Sequence, residues 1–111
     1  MLVYEAVYPD VFDQMTMGVD LASSLGEYAD YSAIVILGVK GPKIYLIYVT
    51  SFREDLTGIV NQIITAYSRF RPDMIVVENY RSESWVIDQV RKQAAVPIKM
   101  SRLPGDKLRL S

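Results

Sequence analysis

Hydrophobic and polar positions along the chain set out seven regular segments behind an N-terminal arm, residues 1–15, rich in Tyr and Val. Thr16 to Ala22 (TMGVDLA) reads as a short strand, and the Ser-rich stretch after it as a polar turn. Tyr31 to Val39 and Ile44 to Phe52 are β-rich runs on either side of Lys40-Gly41-Pro42-Lys43, a turn composition that predicts an antiparallel hairpin. Glu54 and Asp55 open a helix at the end where its dipole favours acids, and apolar residues at 56, 59, 60, 63, 64, 67 and 70 trace one face of it.

Pro72-Asp73 stops that helix and leads into Met74 to Glu78 (MIVVE), an unbroken apolar run of the kind buried in parallel strands. Ser82 offers an N-cap to a second helix, with Glu83 in its first turn and Val86, Val90 and Ala94 as its stripe. Pro97 follows its end, before a last strand over Ile98 to Leu103. The predicted order is β-β-β-α-β-α-β. It implies an α/β fold with a mixed sheet, its first three strands antiparallel, the later strands parallel, and helices packed on the sheet. No repeat or low-complexity segment interrupts it, so residues 16–111 read as one core.

Composition narrows the chemistry. Half of the 111 residues are hydrophobic and 23% are charged, the balance of a chain that folds rather than one that stays disordered. No apolar run reaches the length of a membrane span and the N-terminus lacks the pattern of a signal peptide, so a cytoplasmic location is expected, with no membrane partner. The chain has no Cys and no His. Disulfides, Cys/His zinc sites, Cys nucleophiles and Ser-His-Asp triads supplied by this chain are thereby excluded. Carboxylates remain, and they favour hard cations such as Mg²⁺, Mn²⁺ or Ca²⁺.

Charge is uneven along the chain although the net value is only −1. Residues 1–80 hold ten acids against five bases, and residues 81–111 hold seven bases against three acids. The basic third is either a solvated surface or a face for phosphate. Two acids stand out by position: Asp20 near the end of the first predicted strand and Glu78 at the end of the fourth. Ligands of open α/β sheets gather beyond the carboxyl ends of strands. If these two strands are neighbours, their carboxylates would repel unless a cation neutralised them. Other readings stay open: Asp20 could cap the turn after its strand, and Glu78 could pair with Arg81.

These segments resemble the nuclease domain of viral terminase large subunits, within the ribonuclease H-like superfamily. GVDLA, its polar spacer and Asp30-Tyr31-Ser32-Ala33-Ile34-Val35 are similar to the family's first strand and its turn into the second. MIVVEN at 74–79 is similar to its fourth strand, with the second catalytic acid at Glu78. Gly105-Asp106-Lys107-Leu108-Arg109 is similar to the DK-x-x-R signature after the fifth strand, with one residue rather than two between Lys and Arg. The resemblance implies an Mg²⁺- or Mn²⁺-dependent endonuclease that cuts duplex DNA by two-metal hydrolysis during genome packaging. Asp20 would bridge the metals and Glu78 would bind one of them. Arg102, Lys107 and Arg109 would contact DNA phosphates, or else belong to a solvated tail, and Asp30 would be structural.

The family draws a third carboxylate from a later segment, and nothing after Arg109 can supply it. The chain is therefore expected to be a fragment, a degenerate proviral copy or one piece of a split enzyme. No G-x-x-x-x-G-K-[ST] phosphate loop is present, so the family's ATPase motor would lie on another segment or chain. A second class is a catalytically inactive interaction module, self-associating through a sheet edge or through the arm's Tyr4, Val7, Tyr8 and Phe12, with Trp85 a further contact. A third, suggested by GVDLASS before a hairpin, is an actin-like phosphate binder, which needs two large lobes and glycine-rich loops that are missing here.

Overall fold

The computed structural model of the chain describes residues 2–3, 8–21, 31–78 and 83–100. Six strands form one sheet: β1 (Leu2–Val3), β2 (Gln14–Asp20), β3 (Ser32–Lys40), β4 (Lys43–Phe52), β5 (Met74–Glu78) and β6 (Ile98–Met100). Two helices, α1 (Leu56–Phe70) and α2 (Glu83–Gln93), connect β4 to β5 and β5 to β6. The spatial order is β1-β4-β3-β2-β5-β6. β2, β3 and β4 pair antiparallel, whereas β2 with β5, β5 with β6, and β1 with β4 pair parallel. This is the expected mixed sheet with one short strand added. β2 starts two residues earlier than predicted, so Gln14 and Met15 lie in the sheet, and Ala94 falls just beyond α2.

Alternation decides which face each side chain takes. Met17 and Val19 of β2, Ile34 and Ile36 of β3, Ile75 and Val77 of β5, and Ile98 of β6 are buried in one cluster. The same cluster contains Ile59, Val60, Ile63 and Ala66 of α1 and Val86, Ile87 and Val90 of α2. Both helices therefore lie on one face. The other face carries Thr16, Gly18 and Asp20 of β2, Ala33, Val35 and Leu37 of β3, and Val76 and Glu78 of β5, and among the described residues no helix covers it. No described helix is long and apolar enough to cross a membrane.

Local chemistry sets the element ends. The Asp55 carboxylate accepts from the Gly58 N–H at 2.8 Å and caps α1, so the acid sits at the N-cap and not within the first turn. Arg71 ends the helix in the left-handed region (φ 51°), and its N–H donates to the Tyr67 carbonyl before Pro72 blocks continuation. Gly41, at φ 58°, makes the hairpin turn, and its N–H donates to the Asp13 carboxylate at 2.7 Å. Tyr8 and Phe12 pack on the Tyr45 ring at centroid distances of 5.3 and 5.6 Å. Those arm aromatics thus serve the domain's own packing, whereas Trp85 is 41% exposed. Tyr4, Val7, Asp30 and Ser82 lie outside the described residues.

A parallel pair has no tight turn to fix its register. Here Asp73, just ahead of β5, grips the start of β2 twice: its carboxylate accepts from the Met15 N–H at 2.8 Å, and its own N–H donates to the Met15 carbonyl at 2.7 Å. Asp73→Ala removes one of these bonds and is expected to cost about 1 kcal/mol in urea denaturation. Asp73→Asn, which keeps an acceptor, should lose less, and Asp10→Ala on the exposed arm should change little.

Candidate active site

The register of β2 against β5 places Asp20 opposite Glu78. Directly opposed residues of neighbouring parallel strands share a face, and such strands run about 4.8 Å apart. The two carboxylates thus stand side by side at the carboxyl end of the sheet, on the face away from the helices. Asp20 is exposed and Glu78 half-buried. Beyond them the Leu21 N–H donates to the Glu78 carbonyl at 3.1 Å, which carries the pairing one step past the acids. The adjacency that the acids required is present. Arg81, Arg102, Lys107 and Arg109 lie outside the described residues.

Behind the acids the surface is recessed. Successive rows cross the open face: Ser51, Ala33, Asp20 and Glu78 in one, and Val49, Val35, Gly18 and Val76 in the next. Ala33 and Gly18 are the small members of these rows. Together with Val19, Val35, Val76 and the two acids they line a concavity of about 410 Å³. The motif G-V-D therefore does two things on one strand: Gly18 keeps the floor low, and Asp20 puts a charge at its rim.

Two carboxylates from adjacent strand ends suit a hard divalent cation, which takes oxygen ligands and keeps water for its remaining positions. Among the described residues no group of three or more acidic, His or Cys side chains gathers. The donor set present fits one such ion.

Two further residues stand at this end of the sheet and escaped the reading of the sequence. Tyr31 precedes β3 and Arg53 follows β4, and the guanidinium carbon lies 5.6 Å from the centre of the ring. The hairpin itself was the available signal, since two residues equidistant from its turn are brought together. A bulge at Ile47 of β4, opposite the step from Ile36 to Leu37, shifts that count by one.

A family model described as the Terminase RNaseH-like domain matches residues 17–110. Among solved structures, Thermus thermophilus RuvC superposes with a TM-score of 0.55 at 20% identity, covering 78% of this chain and 60% of that one. Fowlpox virus resolvase, solved with its substrate Holliday junction DNA, gives 0.54 at 16% identity, covering 86% of this chain and 66% of that one. An Aquifex aeolicus PPX-GPPA enzyme gives 0.54 at 7% identity, covering 79% of this chain and 36% of that one. At these identities the likeness is one of fold, and the chain spans less than two thirds of each structure. No curated protein matches the sequence.

The recess is open to a direct test. A Cβ built on Gly18 would meet only the Val35 carbonyl oxygen, at 3.9 Å, an ordinary contact. Gly18→Val is therefore expected to fold normally and to gain up to about 1 kcal/mol, because glycine weakens a strand interior. Urea denaturation reads this, and a marked loss of stability would mean that the floor is already filled.

Proposed function

The chain belongs to the terminase RNaseH-like family, and from that premise we propose that it is a metal-dependent endonuclease domain acting on duplex DNA during viral genome packaging. The observation that carries this reading is the pairing of Asp20 with Glu78 at one register position of two parallel strands. The fold shared with RuvC and with a resolvase solved on Holliday junction DNA supports nuclease chemistry and a DNA partner.

In this reading Asp20 and Glu78 hold Mg²⁺ or Mn²⁺. Such an ion, when bound, lowers the pKa of a coordinated water and offsets charge on a phosphate. The chain's own contribution is placement. Asp20, at the exposed rim, faces the approaching backbone, while Glu78, half-buried beside Val76, is held by the strand ladder. The space above Gly18 and Ala33 admits a phosphodiester that a larger side chain would exclude. An ATPase motor on another segment or chain would deliver the DNA, in the cytoplasm of the host.

The second reading is an inactive interaction module. Val49 favours it, 58% exposed on the same open face as Val35 and Val76. A plasmid-nicking assay separates the two. With Mg²⁺ or Mn²⁺ the wild-type chain is expected to convert supercoiled DNA to nicked forms, and Asp20→Asn or Glu78→Gln to lower that rate by about 100-fold or more, since even outer-shell changes at metal sites cost about 10- to 100-fold. Activity equal in all three proteins would place the chemistry elsewhere, and none in the wild type would favour the module.

A further inference from the structure

Tyr31 and Arg53 have no part in the core or in the carboxylate pair. Ser32 and Phe52 are register partners, both buried on the helix side. Tyr31 and Arg53 lie one residue beyond them, just outside β3 and β4, and their side chains meet at the end of the sheet that carries Asp20 and Glu78. They lie two residues beyond Ala33 and Ser51, the β3 and β4 members of the row that holds Asp20 and Glu78. Tyr31 is two residues along from Ala33, and Ala33 lies one strand across from Asp20, so the ring stands roughly 8 Å from the Asp20 position by the rise and spacing of strands. Neighbouring nucleotides of one DNA strand can therefore reach both places.

A single exposed aromatic ring on a protein surface has no meaning of itself. Position and charge give this one its meaning. Tyr31 is 65% exposed, and the Arg53 guanidinium rests over its ring, which holds both side chains without burying either. Charge elsewhere on the described surface is arranged differently. Lys40 and Lys43 flank the hairpin turn, Arg69 and Arg71 end α1, and Arg91 and Lys92 end α2, all at the opposite end of the sheet from Asp20 and Glu78. Lys99 is mid-strand, level with Val76. Arg53 is thus the cation that, among the described residues, stands at the carboxylate end. A polyanion brought to two carboxylates needs such a charge beside them.

We infer that Tyr31 and Arg53 form a DNA-gripping pair beside the carboxylates, Tyr31 stacking on a base unpaired at that point and Arg53 contacting the adjoining phosphate. The inference rests on the nuclease reading and adds to it a preference for DNA whose pairing is locally open. Stacking on an aromatic ring tolerates any base, so the pair favours exposed bases without reading sequence.

Fluorescence anisotropy with the full chain tests this, using a labelled duplex with a central bubble of mismatches and a fully paired control of equal length. Titrations are run in Ca²⁺ and again in EDTA, at several salt concentrations. The wild type is expected to prefer the bubble. Tyr31→Ala should weaken bubble binding by about tenfold and paired-duplex binding far less, while Tyr31→Phe keeps the preference. Arg53→Ala should weaken binding to both and reduce the salt slope by about 1. Wild-type binding that Tyr31→Ala leaves unchanged overturns the inference and spares the nuclease reading. A wild type that binds neither DNA overturns both.

Discussion

The register of β2 against β5 is the constraint on which the rest of this structure depends. Slipping β5 by one residue would turn Ile75 and Val77 away from the helices and drive Glu78 toward the core. Burying a carboxylate costs far more than leaving it in water, so the apolar alternation of MIVVE and the placement of its acid enforce each other. The Asp73 clamp on Met15 fixes the entry to the pair, and the Leu21 bond to Glu78 fixes its exit. Between these two ends Asp20 and Glu78 have one relation open to them.

One-sided packing then decides what the site looks like. With α1 and α2 sharing a single core cluster, the opposite face is left to the residues of β2, β3, β4 and β5 that alternate away from it. Glycine and alanine at 18 and 33 make that face concave beside the acids, and the valines make it apolar. A larger residue at Gly18, where a Cβ meets only the Val35 carbonyl oxygen at 3.9 Å, would keep the fold while altering what can approach Asp20. The fold and the site are in this sense separable, although one set of strands carries both.

Much of this was legible in the residues. The stripe from Leu56 to Phe70, the run from Met74 to Glu78 and the turn at Lys40 to Lys43 are local patterns, and each appears as an element with ends close to those expected. The acids Asp20 and Glu78 could be singled out because each closes an apolar strand. That they are neighbours could only be supposed, because pairing between β2 and β5 joins segments separated by a hairpin and a helix. The bulge in β4 was hidden for another reason. A two-residue turn implies one register for the whole hairpin, and the shift after Leu37 moves Ser32 from Ser51 to Phe52. That shift brings Arg53, rather than Phe52, level with Tyr31. Leu2–Val3 is too short to show a period at all.

The proposed chemistry requires Asp20 and Glu78 to share one divalent cation. Paramagnetic broadening of backbone amide signals by Mn²⁺ tests it most directly, since its effect falls steeply with distance from the ion. Broadening is expected to centre on Asp20, Leu21, Ala33 and Glu78 at about one ion per chain, and to be abolished when Asp20→Asn and Glu78→Gln are combined. Broadening centred on other acids, such as Asp13 or Asp73 at the far end of the sheet, or persisting in the double variant, would contradict it.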